Sequence, residues 1–136
     1  MGEYRKLKVW ERAHRLTIDV YLATRSFPKE ELYGLTSQLR RAATSIPANI
    51  AEGYGRSGDP ELARFLTIAI GSANELDYHL LLARDLGYLE PSDFNRLAAE
   101  AQGVARMLSS FITRVRQTPS AKATIANGQK PTANSQ

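Results

Sequence analysis

The chain has 136 residues, 43% hydrophobic and 24% charged, with a net charge of +4 and no cysteine. That composition describes one globular domain with room for a real core, and it excludes disulfides and thiolate chemistry. No run of about 18 apolar residues exists to cross a membrane, and the opening MGEYRKLKVW has no apolar signal segment, so the expected compartment is the cytoplasm.

The charge is uneven. Residues 1–58 hold ten Lys/Arg against six Asp/Glu, residues 59–117 hold six against eight, and the last nineteen residues add two lysines. A basic half points to an acidic partner, with nucleic acid the commonest candidate.

The first element shows an apolar seam at Val9, Ala13, Leu16, Val20 and Ala23, in steps of three and four that predict a helix. Arg5, Lys8, Arg12 and Arg15 fall on one face of it with Lys6 alongside, and Arg40 and Arg41 add charge on the next helix. Such arrays bind phosphate backbones by counterion release, without reading sequence. The plain alternative is a solvated face. Aromatic interleaving is confined to Tyr4, Trp10 and Tyr21, and no RNA-recognition or helix-turn-helix motif accompanies the stripe. Glu11 and His14 have the Glu-x-x-His spacing of di-iron bundles. That site needs two such motifs pointing inward, whereas this chain has one, on a stripe facing away from the seam, so no metal is expected.

The second element carries Leu32, Leu35, Leu39, Ala42, Ile46 and Ile50 as its seam. Beside the seam runs a polar stripe, Gln38, Arg41, Ser45, Asn49, Glu52 and Arg56. Pro47 interrupts the pattern without ending it. Proline removes a helical hydrogen bond, at a cost of about 3 kcal/mol in a helix interior, yet the seam passes from Ile46 to Ile50. The helix is therefore expected to continue with a bend, leaving the Ala43 carbonyl in need of another donor. Small residues (Ala42, Ala43, Ala48, Ala51, Gly53 here, and Gly71, Ser72, Ala73 on the third helix) would let helices two and three approach closely. Asn49, Glu52 and Arg41 could then meet Glu75 in a buried or half-buried network that fixes register. The competing reading is a solvated stripe.

The segment GRSGDP, residues 55–60, reads as a helix–helix turn with Asp59 as N-cap and Pro60 at the first helical position. The preceding GYGRSG could suggest phosphate binding, but it lacks the Gly-Lys-Ser/Thr ending of a P-loop and no strand precedes it. The third seam is Leu62, Leu66, Ala69, Ala73, Leu76, Leu80 and Ala83. Ser72, Glu75 and His79 share one face there and supply the residue types of a hydrolase triad. Seven residues of helix separate Ser72 from His79 by roughly 10 Å, too far for proton transfer, so no catalytic residues and no cofactor are assigned. Gly87 ends the third helix, Ser92 is available to cap the fourth, and the fourth seam is Phe94, Leu97, Ala101, Val104, Leu108, Phe111 and Val115.

Four helices with short connections predict an all-α, antiparallel up-down-up-down four-helix bundle over residues 1–117, followed by a disordered tail over 118–136. Apolar residues outside the seams, among them Trp10, Ile18, Tyr21 and Leu22 on the first helix and Phe65, Ile68, Ile70, Leu81, Leu82 and Leu86 on the third, point to a homo-oligomer.

The stretches YGLTSQLRRAATSIPANIAEGYGR (33–56), ELARFLTIAIGSANEL (61–76) and LARDLGYL (82–89) resemble the four-helix-bundle family of 23S rRNA intervening-sequence proteins, from about Leu7 to Val115. The resemblance implies a short antiparallel bundle that assembles as a homo-oligomer, with pentamers known in the family. A structurally similar group, the accessory variability determinant proteins of diversity-generating retroelements, consists of basic pentameric bundles that bind nucleic acid and a reverse transcriptase. The Gly-Ser-Ala at 71–73 departs from the bulkier residue that often follows Gly-Ser in the family. No catalytic residues come with the resemblance. The combined expectation is a non-enzymatic homo-oligomer that binds RNA or DNA through its basic face, the alternative being a protein–protein scaffold or adaptor with no nucleic-acid role.

Overall fold

The computed structural model describes residues 3–117; the expected tail over 118–136 lies outside them. Four helices account for most of the described chain: α1, Lys8–Ala23; α2, Leu35–Tyr54; α3, Asp59–Asp85; and α4, Pro91–Gln117. Short 3-10 turns sit at Glu3–Lys6, Thr24–Ser26 and Lys29–Glu31, and the described residues contain no strand. Helices adjacent in the chain pack on one another and α4 closes back on α1, with the α2/α3 and α3/α4 seams the most extensive and α1/α4 the sparsest. The result is the up-down-up-down bundle.

The core follows the seams. Leu16, Leu39, Ile46, Ile50, Leu66, Leu76, Leu80, Leu97, Leu108, Val20 and Val104 are fully buried. Leu32 departs from the expectation: it is 45% exposed because it lies in the turn between the 3-10 element Lys29–Glu31 and α2, which begins only at Leu35. Glu31 makes that start possible. Its Oε1 accepts the Leu35 amide at 3.1 Å while its Oε2 accepts the Tyr88 hydroxyl at 3.1 Å. One carboxylate thus satisfies an orphan donor at the helix start and ties it to the α3–α4 turn.

Two other boundaries differ by a residue or two. Gly58, at φ 90°, is the N-cap of α3, so Asp59 opens the helix and Pro60 follows it. α4 starts at Pro91, with the Phe94 amide bonded to the Glu90 carbonyl at 2.9 Å, which leaves Ser92 inside the first turn. The end of α3 is as expected. Gly87, at φ 81°, lets its own amide bond Arg84 O at 2.9 Å and the Tyr88 amide bond Ala83 O at 3.0 Å, the paired closure of a Schellman motif.

α2 runs unbroken through Pro47. The donor that the Ala43 carbonyl lacks comes from α1: Thr17 Oγ1 donates to Ala43 O at 3.0 Å, sharing its proton with its own helix carbonyl, Ala13 O, at 2.9 Å. Ala43 is fully buried, so solvent does not supply this carbonyl with a donor in place of Thr17. Thr17→Val keeps shape and branching and removes only the hydroxyl. We expect it to lower stability by about 1–3 kcal/mol, the penalty for stranding a buried acceptor, with Thr17→Ser close to wild type; chemical denaturation midpoints check both.

Candidate nucleic-acid interface

Seven cations were expected to form the basic face, and the fold separates them into two groups. Arg12 faces α4. Its Nε and Nη2 donate to Glu100 Oε1 and Oε2 at 3.0 and 3.2 Å, and its Nη1 lies 3.4 Å from Met107 Sδ. The bonds from Arg12 hold the Glu100 carboxyl below its usual range. A bidentate pair of this kind fixes the α1/α4 register. Gly103 is what lets the guanidinium lie flat there, since a Cβ at that position would sit 2.5 Å from Nη2.

Arg15 pairs with Glu11 at 3.5 Å along the same helix. Arg40 donates to Thr24 Oγ1 at 2.9 Å and stacks over the Tyr21 ring at 4.8 Å. Arg41 is ion-paired to Glu75 on α3 and donates to Gln38 Oε1 at 2.7 Å. Four of the seven are therefore engaged within the bundle. Arg5, Lys6 and Lys8 have no carboxylate partner among the described residues, and Arg5 lies 5.3 Å from the Tyr4 ring.

The free cations meet others that the first-helix stripe did not include. α1 is antiparallel to α4, so Lys8 lies beside the C-terminal half of α4, where Arg106 and Arg114 project into the same groove. This groove, of about 560 Å³, has Leu7, Val9, Met107 and Phe111 as apolar lining. Val9 is buried and the other three are half-buried, whereas Lys8, Arg106 and Arg114 are exposed around them. Among the described residues no Asp or Glu lines the groove. Residues 101–136 contain five Lys/Arg and no Asp or Glu at all, and that acid-free run is the signal by which Arg106 and Arg114 were findable.

The polar stripe of α2 likewise divides. Ser45 Oγ and Ser72 Oγ lie 2.8 Å apart across the α2/α3 seam, and Asn49 Nδ2 donates to Ser45 O and Oγ at 2.8 and 2.9 Å. Arg41 and Glu75 bridge the same two helices one turn away, with side chains 53% and 37% exposed. Glu52 does not join them. It is exposed and takes a bond from Arg56 Nε at 2.9 Å along its own helix. A single buried network including Glu52 is thus corrected to two small bridges and a separate surface pair. Glu52→Ala should change stability by no more than about 0.5 kcal/mol, the usual range for surface substitutions, as read from a thermal or denaturant midpoint.

The remaining candidates have structural partners. Ser72 is occupied by Ser45, and Glu75 by Arg41. His79 is half-buried with an enclosed Nδ1 that has no hydrogen-bond partner, and burial pushes its imidazole below the usual pKa. Glu11 is held by Arg15, and His14 stacks on Trp10 with ring centroids 4.9 Å apart and planes within 10°. In the GYGRSG turn, Arg56 reaches back to Glu52 and lies 5.2 Å from the Phe65 ring.

The fold matches a crystal structure of a protein of unknown function from the S23 ribosomal protein family of Bacteroides thetaiotaomicron, with a TM-score of 0.70 and 22% identity over 76% of this chain and 97% of that one. No curated protein matches. The family model for 23S rRNA-intervening sequence proteins matches residues 5–110, a span that takes in α1, α2, α3 and most of α4 with both the Pro47 helix and the Arg12–Glu100 pair. On that match the chain belongs to the 23S rRNA-intervening sequence protein family.

Proposed function

We propose that this chain is a non-enzymatic, homo-oligomeric bundle of the cytoplasm that binds nucleic acid through the phosphate backbone, from the pole where α1 begins and α4 ends. One observation carries the reading: five cations without carboxylate partners among the described residues converge there. Lys8, Arg106 and Arg114 share an acid-free groove, and Arg5 and Lys6 immediately precede it in the chain. An ion-paired arginine must give up its partner to take a phosphate, whereas these five need not. Binding of this kind releases condensed counterions, is indifferent to base sequence and weakens steeply with salt.

Oligomerisation is supported by a separate surface. Ile18, Tyr21 and Leu22, spaced i, i+3 and i+4 on one face of α1, remain 46%, 44% and 49% exposed in the single chain. A row of large apolar side chains on one helix face is the kind of surface that a second copy covers. Several copies would also present several cationic poles, turning a modest patch into a multivalent one. Five copies is the number we favour.

The direct test is titration of a labelled RNA against the purified protein at low salt, with light scattering on the same sample. Saturable binding that weakens as salt rises, by a particle of several copies, is the expected result. Absence of binding at low salt would overturn the nucleic-acid reading in favour of a protein adaptor, and a 15 kDa particle at high concentration would overturn oligomerisation.

A further inference from the structure

The groove has more apolar surface than a phosphate site needs. A duplex offers its partner a rail of phosphates with the bases stacked inside, so a set of cations on a polar helix face would suffice to hold it. Here the exposed Lys8, Arg106 and Arg114 surround Leu7, Met107 and Phe111, all half-buried and each lining the groove. Docking a duplex would leave that apolar lining against charge and water. A single strand has both chemistries, since its phosphates suit the cations and its unstacked bases have apolar π-faces that pack on aromatic rings and guanidinium planes.

The groove's dimensions and parts agree with this. At about 560 Å³ it is within the range of about 300–1,000 Å³ typical of ligand pockets, large enough to admit a base. Phe111 and Arg114 lie together at its α4 side, with the guanidinium 5.6 Å from the ring centroid. Arg12, drawn aside to Glu100 and seated on Gly103, borders the groove without blocking it.

We infer that the α1/α4 groove takes an unpaired nucleotide, its base against Phe111 and the Arg114 guanidinium and its flanking phosphates on Lys8 and Arg106, so that the protein prefers single-stranded to duplex nucleic acid. This rests on the nucleic-acid reading above and gives it a substrate class.

The test is fluorescence anisotropy with a short uridine-rich RNA, free and annealed to its complement, at one salt concentration. Wild-type protein should bind the free strand about tenfold more tightly, the worth of one stacked base. Phe111→Leu keeps an apolar side chain and removes the π-face. It should erase the preference by weakening the free strand about tenfold and the duplex by less than about twofold. Because Phe111 also packs against the core, a circular dichroism melt accompanies that variant, and the wild-type comparison stands without it. Equal wild-type affinities for strand and duplex would overturn the single-strand inference and leave backbone binding intact. A retained preference in a folded Phe111→Leu would overturn the assigned base site. Failure of both RNAs to bind at low salt would overturn the underlying reading. Competition by an acidic amphipathic peptide at lower concentration than the RNA would overturn the inference in favour of a protein partner.

Discussion

Replacing Lys8, Arg106 and Arg114 together by Gln is expected to weaken RNA binding by on the order of a hundredfold at about 0.1 M salt. Each phosphate contact with a single strand contributes a slope of about 0.7 in the log–log salt dependence, so the two on Lys8 and Arg106 are worth roughly fivefold each at that concentration, and loss of the Arg114 plane against the base supplies the rest. The three side chains are exposed, and none bonds to a carboxylate among the described residues. Their loss should therefore leave the fold stable to within about 0.5 kcal/mol. Arg15 and Arg41 supply the contrast. Both were expected on the basic face, but Glu11 and Glu75 hold them. The Arg15→Gln/Arg41→Gln protein should lose less than about fivefold, less than a single free contact. A similar loss in the two proteins would mean that net charge alone governs binding, with no role for the groove.

Gly53→Leu is expected to be the most damaging single substitution at the α2/α3 seam. Gly53 is buried in α2, and even a Cβ there would lie 2.7 Å from Phe65 Cβ and 3.4 Å from the Leu62 carbonyl. Those atoms belong to the backbone of α3 or are fixed directly to it, so they cannot swing aside. The helices would have to separate along one of the bundle's two most extensive seams. Overpacking of this kind costs about 1–3 kcal/mol and occasionally more; with three further carbons to place, about 3 kcal/mol is expected, a fall in Tm on the order of 10 °C for a domain of this size. Gly71→Ala tests the geometry from the other side. Gly71 is exposed in α3, with nothing within 4 Å of its Cβ position. Alanine should there add up to about 1 kcal/mol through helix propensity. A melt of both proteins beside wild type separates a packing requirement from a general dislike of change at glycine.

The sequence contained the helices, their order and the core, because those depend on local periodicity and turn chemistry. Even the orphaned carbonyl at Ala43 could be named from Pro47 alone. Its donor could not. Thr17 reaches Ala43 only through the register of α1 against α2, and register between helices is a tertiary quantity. The same holds for Arg12, whose partner Glu100 lies 88 positions away. On a helical wheel Arg12 belongs to a basic stripe, and only the approach of α4 turns it into a structural residue. Glu52 failed in the opposite direction: it continues a polar stripe on the same helix face as Arg41 and Ser45, but its ion pair is with Arg56 one turn along its own helix and not with α3.

The basic pole was concealed by averaging. Residues 59–117 sum to a small negative charge, which suggests an acidic second half. All eight of its Asp/Glu lie between 59 and 100, while Arg106, Arg114 and Arg116 follow without one. Because α4 returns antiparallel to α1, that acid-free end comes back beside Lys8. Charge counted along the chain divides what the fold brings together.

The most direct measurement is the salt dependence of single-stranded RNA affinity for wild type and for the Lys8→Gln/Arg106→Gln/Arg114→Gln protein. If Lys8 and Arg106 carry two phosphate contacts, the log–log slope should be smaller in the variant by about 1.4, two contacts at about 0.7 each. Equal slopes, with the variant folded, would contradict the assignment of the nucleic-acid site to this pole.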